Sequence, residues 1–189
     1  MNYDKNTNTL EADLRILGLS FMADHYAQLS AKAAKNQIGH QDYLAELTKG
    51  EIDLRHDRAT ARRVRNARFP VVKTLDHFNW SWPKKINRMA IQNLFRLQFM
   101  EDKANAVFLG TVGLGKTHLA ATLGYTACLA GKSVLFTTAV DAINTLTAAQ
   151  AASRLKVEMK KYLSPSLLIL DELGYLPIDM YLWLCWPIK

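Results

Sequence analysis

Gly110, Gly115, Lys116 and Thr117 occupy every fixed position of the pattern G-x-x-x-x-G-K-[ST]. Glycines let the backbone fold tightly enough for successive N–H groups to point inward as an anion nest. A helix starting behind such a loop adds partial positive charge at its N-terminus, where phosphate groups would sit. Lys116 is placed to reach the β- and γ-phosphates of a nucleotide, and the Thr117 hydroxyl is placed to ligate Mg²⁺. The residues expected to line a nucleotide are therefore Gly110, Thr111, Val112, Gly113, Leu114, Gly115, Lys116, Thr117 and His118.

A second chemical element lies further along. The apolar run Leu167, Leu168, Ile169 and Leu170 ends in Asp171 and Glu172. Alone this is weak, since any buried strand can emerge at an acid. Some distance after a phosphate loop it gains meaning, because ligands of open α/β sheets bind at the carboxyl ends of the strands. Asp171 would hold Mg²⁺, directly or through water. Glu172 would polarise an attacking water as a general base, acting with Lys116 at the reacting phosphate. An exposed loop acid is the plainer reading of Glu172.

These residues need elements to carry them. Residues 106–109 read as a buried strand before the loop, and residues 117–130 as a helix capped by Gly131. Residues 133–137 read as a second strand. Thr138 and Asp141 form a capping pattern for a helix running to about Tyr162, and Pro165 breaks the chain before the acidic strand. Alternating strands and helices of these lengths are the α/β pattern, with a parallel sheet. Upstream, residues 10–29 carry helical periodicity with a break expected near Gly18, and 31–40 read as a connection. Residues 41–47 resume the pattern, and a helix over 51–69 should end at Pro70. Residues 71–83 read as an irregular connection, where Phe78, Trp80 and Trp82 pack beneath the chain or, alternatively, stack on a base. Pro83 should open a helix running to about Met100.

The chain of 189 residues bears a formal net charge of +7, which favours a polyanionic partner. Arg55, Arg58, Arg62, Arg63, Arg65 and Arg68 fall close together beside a single acid, Asp57. Arg55, Arg58, Arg62 and Arg65 recur at three- and four-residue steps, so they share a helix face. Such a face is either merely solvated or a phosphate-tracking stripe for DNA. The absence of lysine favours DNA, because the guanidinium fork suits phosphates. No apolar run approaches the length of a membrane span, and the polar start lacks a signal peptide's apolar core. Cys128 and Cys185 offer no disulfide framework or metal cluster, and the chain reads as cytoplasmic.

The chain resembles the IstB-type transposition helper ATPases, relatives of helicase loaders and replication initiators within the AAA+ class. The resemblance rests on Ala67-Arg-Phe-Pro70, the run from Gly110 to Ala120, Phe136-Thr-Thr138, Arg154-Leu-Lys156 and, most specifically, Leu170-Asp-Glu-Leu-Gly-Tyr-Leu-Pro-Ile-Asp179. Thr111 and Val112 depart from the proline or small residues frequent early in this family's loop. The resemblance implies a P-loop NTPase sheet of AAA+ type over 71–179, preceded by a small all-helical domain over 1–70 that serves assembly and DNA contact. It implies ATP and Mg²⁺ as cofactors, sequence-tolerant DNA binding, a partner transposase, and self-association into oligomers. Members of the family continue beyond Asp179, whereas residues 180–189 form a hydrophobic tail without a counterpart. The expectation is a C-terminally truncated copy whose sheet is incomplete on that side and whose hydrolysis is impaired. Alternatives are a helicase-loader or initiator ATPase, and a non-catalytic DNA-binding remnant.

Overall fold

Gly18 ends the first helix, α1 (Asp4–Ile16), and opens the second, α2 (Ser20–Lys35), with a left-handed φ of 71° that glycine adopts without strain. The computed structural model describes residues 4–72, 74–78, 80 and 86–173. The chain folds as two compact units, Met1–Ala61 and Arg62–Lys189, and the long helix α3 (His40–Ala67) contributes residues to each.

In the first unit, α2 begins without a side-chain cap of its own from Leu19. The orphan N–H groups at its start are met from α3 instead. Glu51 accepts hydrogen bonds from the backbone N–H of Phe21 at 2.8 Å and of Met22 at 3.4 Å, and from Arg55 Nε at 3.1 Å. A carboxylate at a helix N-terminus is also favoured by the helix dipole. Glu51 is buried, at 4% exposed. The start of α2 can approach this closely only because Gly50 lacks a side chain. A Cβ there would fall 2.0 Å from the Phe21 ring. Phe21 stacks on His25 at 4.1 Å between centroids, and Tyr43 donates its hydroxyl to the Tyr26 carbonyl at 3.1 Å. Ion pairs Arg15–Asp24 and Lys32–Glu46 lie at the surface and contribute little individually.

The second unit is built on two parallel strands, β1 (Val134–Thr138) and β2 (Leu167–Asp171), in the register Val134↔Leu167 through Thr138↔Asp171. A parallel pair needs a long crossover, supplied by α7 (Ala139–Ala151) and α8 (Leu155–Leu163). Thr138 caps α7, accepting from Asp141 N–H at 3.1 Å while its hydroxyl donates to the Asp141 carboxylate at 2.7 Å. The helix α6 (Lys116–Leu129) packs on this sheet through Ala121, Ala127 and Cys128, against Val134, Phe136 and Ile169. Burial pushes the Cys128 thiol up, as suits a core residue. Gly131, with φ 83°, closes α6, and Lys132 N–H returns to the Ala127 carbonyl at 2.9 Å. The end of α3 belongs to this core. Ala67 is fully buried, Arg63 Nε donates to the Cys128 carbonyl at 3.1 Å, and Phe69 meets Phe136 edge-on at 6.2 Å.

Some expectations need correction. Residues 106–109 form no strand; Val107 and Leu109 are 76% and 89% exposed. A strand exists through a neighbour's hydrogen bonds, and among the described residues the only sheet is β1–β2. The helix expected from Pro83 to Met100 is instead α4 (Arg88–Leu94) and α5 (Gln98–Glu101), parted at Leu97 with φ 63°. The helix expected from 139 to 162 is parted at Ser153, φ 57°, into α7 and α8. Helical stretches expected over 41–47 and 51–69 prove to be one helix, α3. Trp82, Pro83 and residues 174–189, with the tail and Cys185, lie outside the described residues.

Burial alone would raise the Glu51 carboxyl pKa, but Arg55 and the two backbone donors outweigh it and hold it below its ordinary 4.5. A depressed folded-state pKa means the stabilisation is fully present above the ordinary value. It is lost as pH falls from about 4.5 through the folded value. Glu51→Gln should therefore lower stability at pH 7 by about 1–2 kcal/mol and flatten the acid limb of a stability-against-pH profile. Chemical denaturation of both proteins at pH 7 and pH 3.5 checks this: their difference should shrink at the lower pH.

Candidate functional site

The start of α6 is the centre of the site. Gly115, its N-cap, has φ 80° and ψ 19°, the left-handed region, and provides no side-chain cap. Gly115 itself offers no side-chain acceptor to the first N–H groups of α6, and the helix dipole favours an anionic one there. Gly113, at φ 83°, makes the other left-handed turn of the loop. Thr111, Val112, Gly113 and Thr117 are exposed, while Leu114, Gly115, Lys116 and His118 are half-buried. Lys116 reaches back across the loop and donates from Nζ to the Thr111 carbonyl at 2.8 Å.

The acidic strand end arrives at the same place. Thr117 Oγ1 donates to Asp171 Oδ2 at 2.8 Å, although the two residues stand 54 positions apart. The other oxygen of that carboxylate, Oδ1, accepts from the Glu172 backbone N–H at 3.0 Å. Asp171 is therefore engaged through both oxygens. Glu172 itself is exposed and has φ 60°, a conformation that L residues rarely hold. The two elements that the sequence separates are brought together at Thr117 and Asp171. Beneath the loop, Phe78 is buried at 6% exposed and packs against Gly115.

Comparison with known proteins adds to this geometry. The family model for IstB-like ATP binding proteins matches residues 12–181. The chain belongs to the IstB-like family. The ATP-binding protein of insertion sequence IS232 from Bacillus thuringiensis is 36% identical to it over 90% of this chain and 68% of its own length. That of insertion sequence IS21 from Pseudomonas aeruginosa is also 36% identical, over 90% of this chain and 64% of its own length. That of IS5376 from Geobacillus stearothermophilus is 32% identical, over 86% and 65%. The IstB-like chain thus spans about two-thirds of the length of these relatives. Among the described residues, no helix is long and apolar enough to cross a membrane.

The arginines of the IstB-like chain divide into two groups. Arg55 bonds to Glu51 and donates from Nη2 to the Gly18 carbonyl at 3.2 Å, and Arg58 donates to Ser20 Oγ at 3.2 Å. Both tie α3 to the start of α2. Arg62 and Arg65 are exposed on the same helix. Sequence reasoning missed Glu51 as a cap and Arg63 as the partner of the α6 C-terminus. Nothing local marks either one; their partners lie 30 and 65 residues away.

Left-handed φ costs a non-glycine residue roughly 1–2 kcal/mol, and the added chain entropy of glycine costs about 0.5–1 kcal/mol. Glu172→Gly should consequently leave stability unchanged or raise it by up to about 1.5 kcal/mol. Urea denaturation measures this, and a drop in stability above about 1 kcal/mol would show that Glu172 does not rest in this conformation.

Proposed function

We propose that this chain is an ATP-binding helper of DNA transposition; its relatives are named as ATP-binding proteins of insertion sequences. The observation that carries the reading is the 2.8 Å hydrogen bond between Thr117 and Asp171, which joins a glycine loop at a helix N-terminus to a strand-end carboxylate. Phosphate binding favours a helix start that its own cap residue leaves open, and Gly115 places no side-chain cap on α6. A hydroxyl and a carboxylate at hydrogen-bond distance are hard oxygen donors suited to Mg²⁺, with phosphate and water oxygens completing its shell. When bound, MgATP supplies the phosphoanhydride bond and a cation that neutralises its charge.

In this reading residues 110–118 cradle the triphosphate, with Lys116 exchanging its bond to the Thr111 carbonyl for phosphate oxygens. Thr117 and Asp171 hold the cation. Glu172, one residue beyond Asp171, takes the proton of the attacking water. Hydrolysis by the chain alone is slow, because residues 106–109 lead into the loop without sheet hydrogen bonds to fix it. A misplacement of about 1 Å lowers such a rate by about 10². Arg62 and Arg65, with Arg55 and Arg58 beside them, contact DNA phosphates without reading sequence. A transposase is the partner, and self-association accompanies DNA binding.

Fluorescent-nucleotide titration should show ATP binding that Lys116→Ala largely abolishes in a folded protein. Phosphate release should stay well below about one per second. Wild-type affinity in Lys116→Ala refutes the loop assignment. Turnover near one per second that vanishes in Glu172→Gln refutes slow hydrolysis.

DNA affinity should fall with salt, and Arg62→Ala with Arg65→Ala should reduce the log–log salt slope by about 0.9 for each phosphate that is no longer neutralised. An unchanged slope in the double variant would make the stripe a solvated face.

A further inference from the structure

Phe78 sits where the linker passes under the glycine loop, just after a short 3₁₀ turn (Leu75–His77). Its ring atom Cε2 lies 3.0 Å from the point where a Cβ on Gly115 would be. The same ring meets His118, in the first turn of α6, edge-on at 5.5 Å, and Trp80 edge-on at 5.1 Å. On Trp80 rests the Arg88 guanidinium, 4.8 Å from the ring centroid. Arg88, Trp80, Phe78 and His118 thus form a continuous chain of ring contacts ending against the loop.

We infer that Phe78 is a positioning residue for the phosphate loop: its ring closes against the side of Gly115 where a side chain would project and holds the turn in its left-handed conformation. The inference rests on the nucleotide reading above. Glycine takes the φ of 80° at position 115 without strain, and a glycine at a turn is the residue freest to leave it. On the other side the loop has little to hold it, since residues 104–110 form no strand and Val112 is 79% exposed. The internal bonds of the loop, Lys116 to Thr111 and Thr117 to Asp171, join groups that a phosphate and a cation would draw apart. The packing of Phe78 on Gly115 involves no group that phosphate would compete for, so it persists through binding. At 6% exposed, with Gly115, His118 and Trp80 around it, the ring leaves too little open surface to be a platform for a base. A loop held in shape beforehand binds more tightly because less ordering is left to binding.

The test compares MgATP with magnesium tripolyphosphate, which carries the phosphates without a base or sugar. Both are titrated by competition against a fluorescent ATP analogue at a temperature where every variant is folded. Phe78→Ala should weaken both by the same factor, about tenfold or more, and Phe78→Leu should restore both to within about threefold of wild type. Phe21→Leu, against Gly50 in the first unit, should lower the melting temperature without changing either affinity. Should the alanine chain not fold, Phe78→Val should show an intermediate weakening equal for both probes. Weakening for ATP alone would make Phe78 a base-stacking residue and overturn the inference, as would wild-type affinity in a folded Phe78→Ala or Phe78→Val protein. A wild-type chain that binds neither probe, or a Lys116→Ala chain that binds as wild type does, defeats the nucleotide reading itself. That outcome differs from a chain that binds normally and is indifferent to Phe78.

Discussion

The close approach of α6 to β2 at Gly124 governs the geometry of the second unit. A Cβ at Gly124 would fall 2.6 Å from the Phe69 ring and 2.7 Å from Ile169 Cδ1, so any larger residue would force these side chains or the helix to move. Thr117, Ala121, Gly124 and Cys128 are spaced by four, three and four residues, which places them on one face of the helix. Ala121 and Cys128 are buried against the sheet. On β2, Ile169 and Asp171 are two residues apart and so lie on the same side of the strand. Once Gly124 lets the helix settle on Ile169, Thr117 two turns up the helix is brought to Asp171 two residues along the strand. The 2.8 Å bond at the site follows from a packing constraint in the middle of the core.

Glycine plays the same part in the first unit, where Gly50 admits the Phe21 ring against α3. There the approach creates an electrostatic problem and its solution together. It brings the uncapped start of α2 against α3, and Glu51 supplies the acceptor those N–H groups need. Burying a carboxylate is costly unless it is fully bonded. Two backbone donors and Arg55 meet that requirement. Arg55 and Arg58 therefore act first within the helical unit, although all four arginines of the stripe are exposed.

What was legible in the sequence was what is local. The glycine loop, the helix behind it, the Gly131 cap, the Thr138 cap and the acidic strand end each depend on residues within a few positions of one another, and each occurs where the residues indicate. The apolar run at 106–109 was misleading because its residue types suit a strand, while the existence of a strand is decided by a neighbour. Glu51 and Arg63 were illegible for the opposite reason: charged residues on a helix read as solvated, and only the tertiary fold turns them into caps. The breaks at Leu97 and Ser153 carry neither glycine nor proline, so periodicity runs across both without interruption. Phe78 was readable as packing, but what it packs against was not.

The bonds within the loop also say what a ligand must offer. Lys116 is bound to a neutral carbonyl, and a charged phosphate oxygen is roughly twice as strong an acceptor. The exchange therefore favours phosphate without requiring the lysine to leave solvent or cross a barrier of packed side chains. Thr117 and Asp171 stand differently, since the hydroxyl already has a carboxylate as its acceptor. A phosphate alone would gain nothing there and would add negative charge beside Asp171. A divalent cation reverses the balance, because both oxygens can face it at once and its charge offsets the phosphate's. Under the function proposed above, this arrangement favours a nucleotide carried with its metal over the free anion.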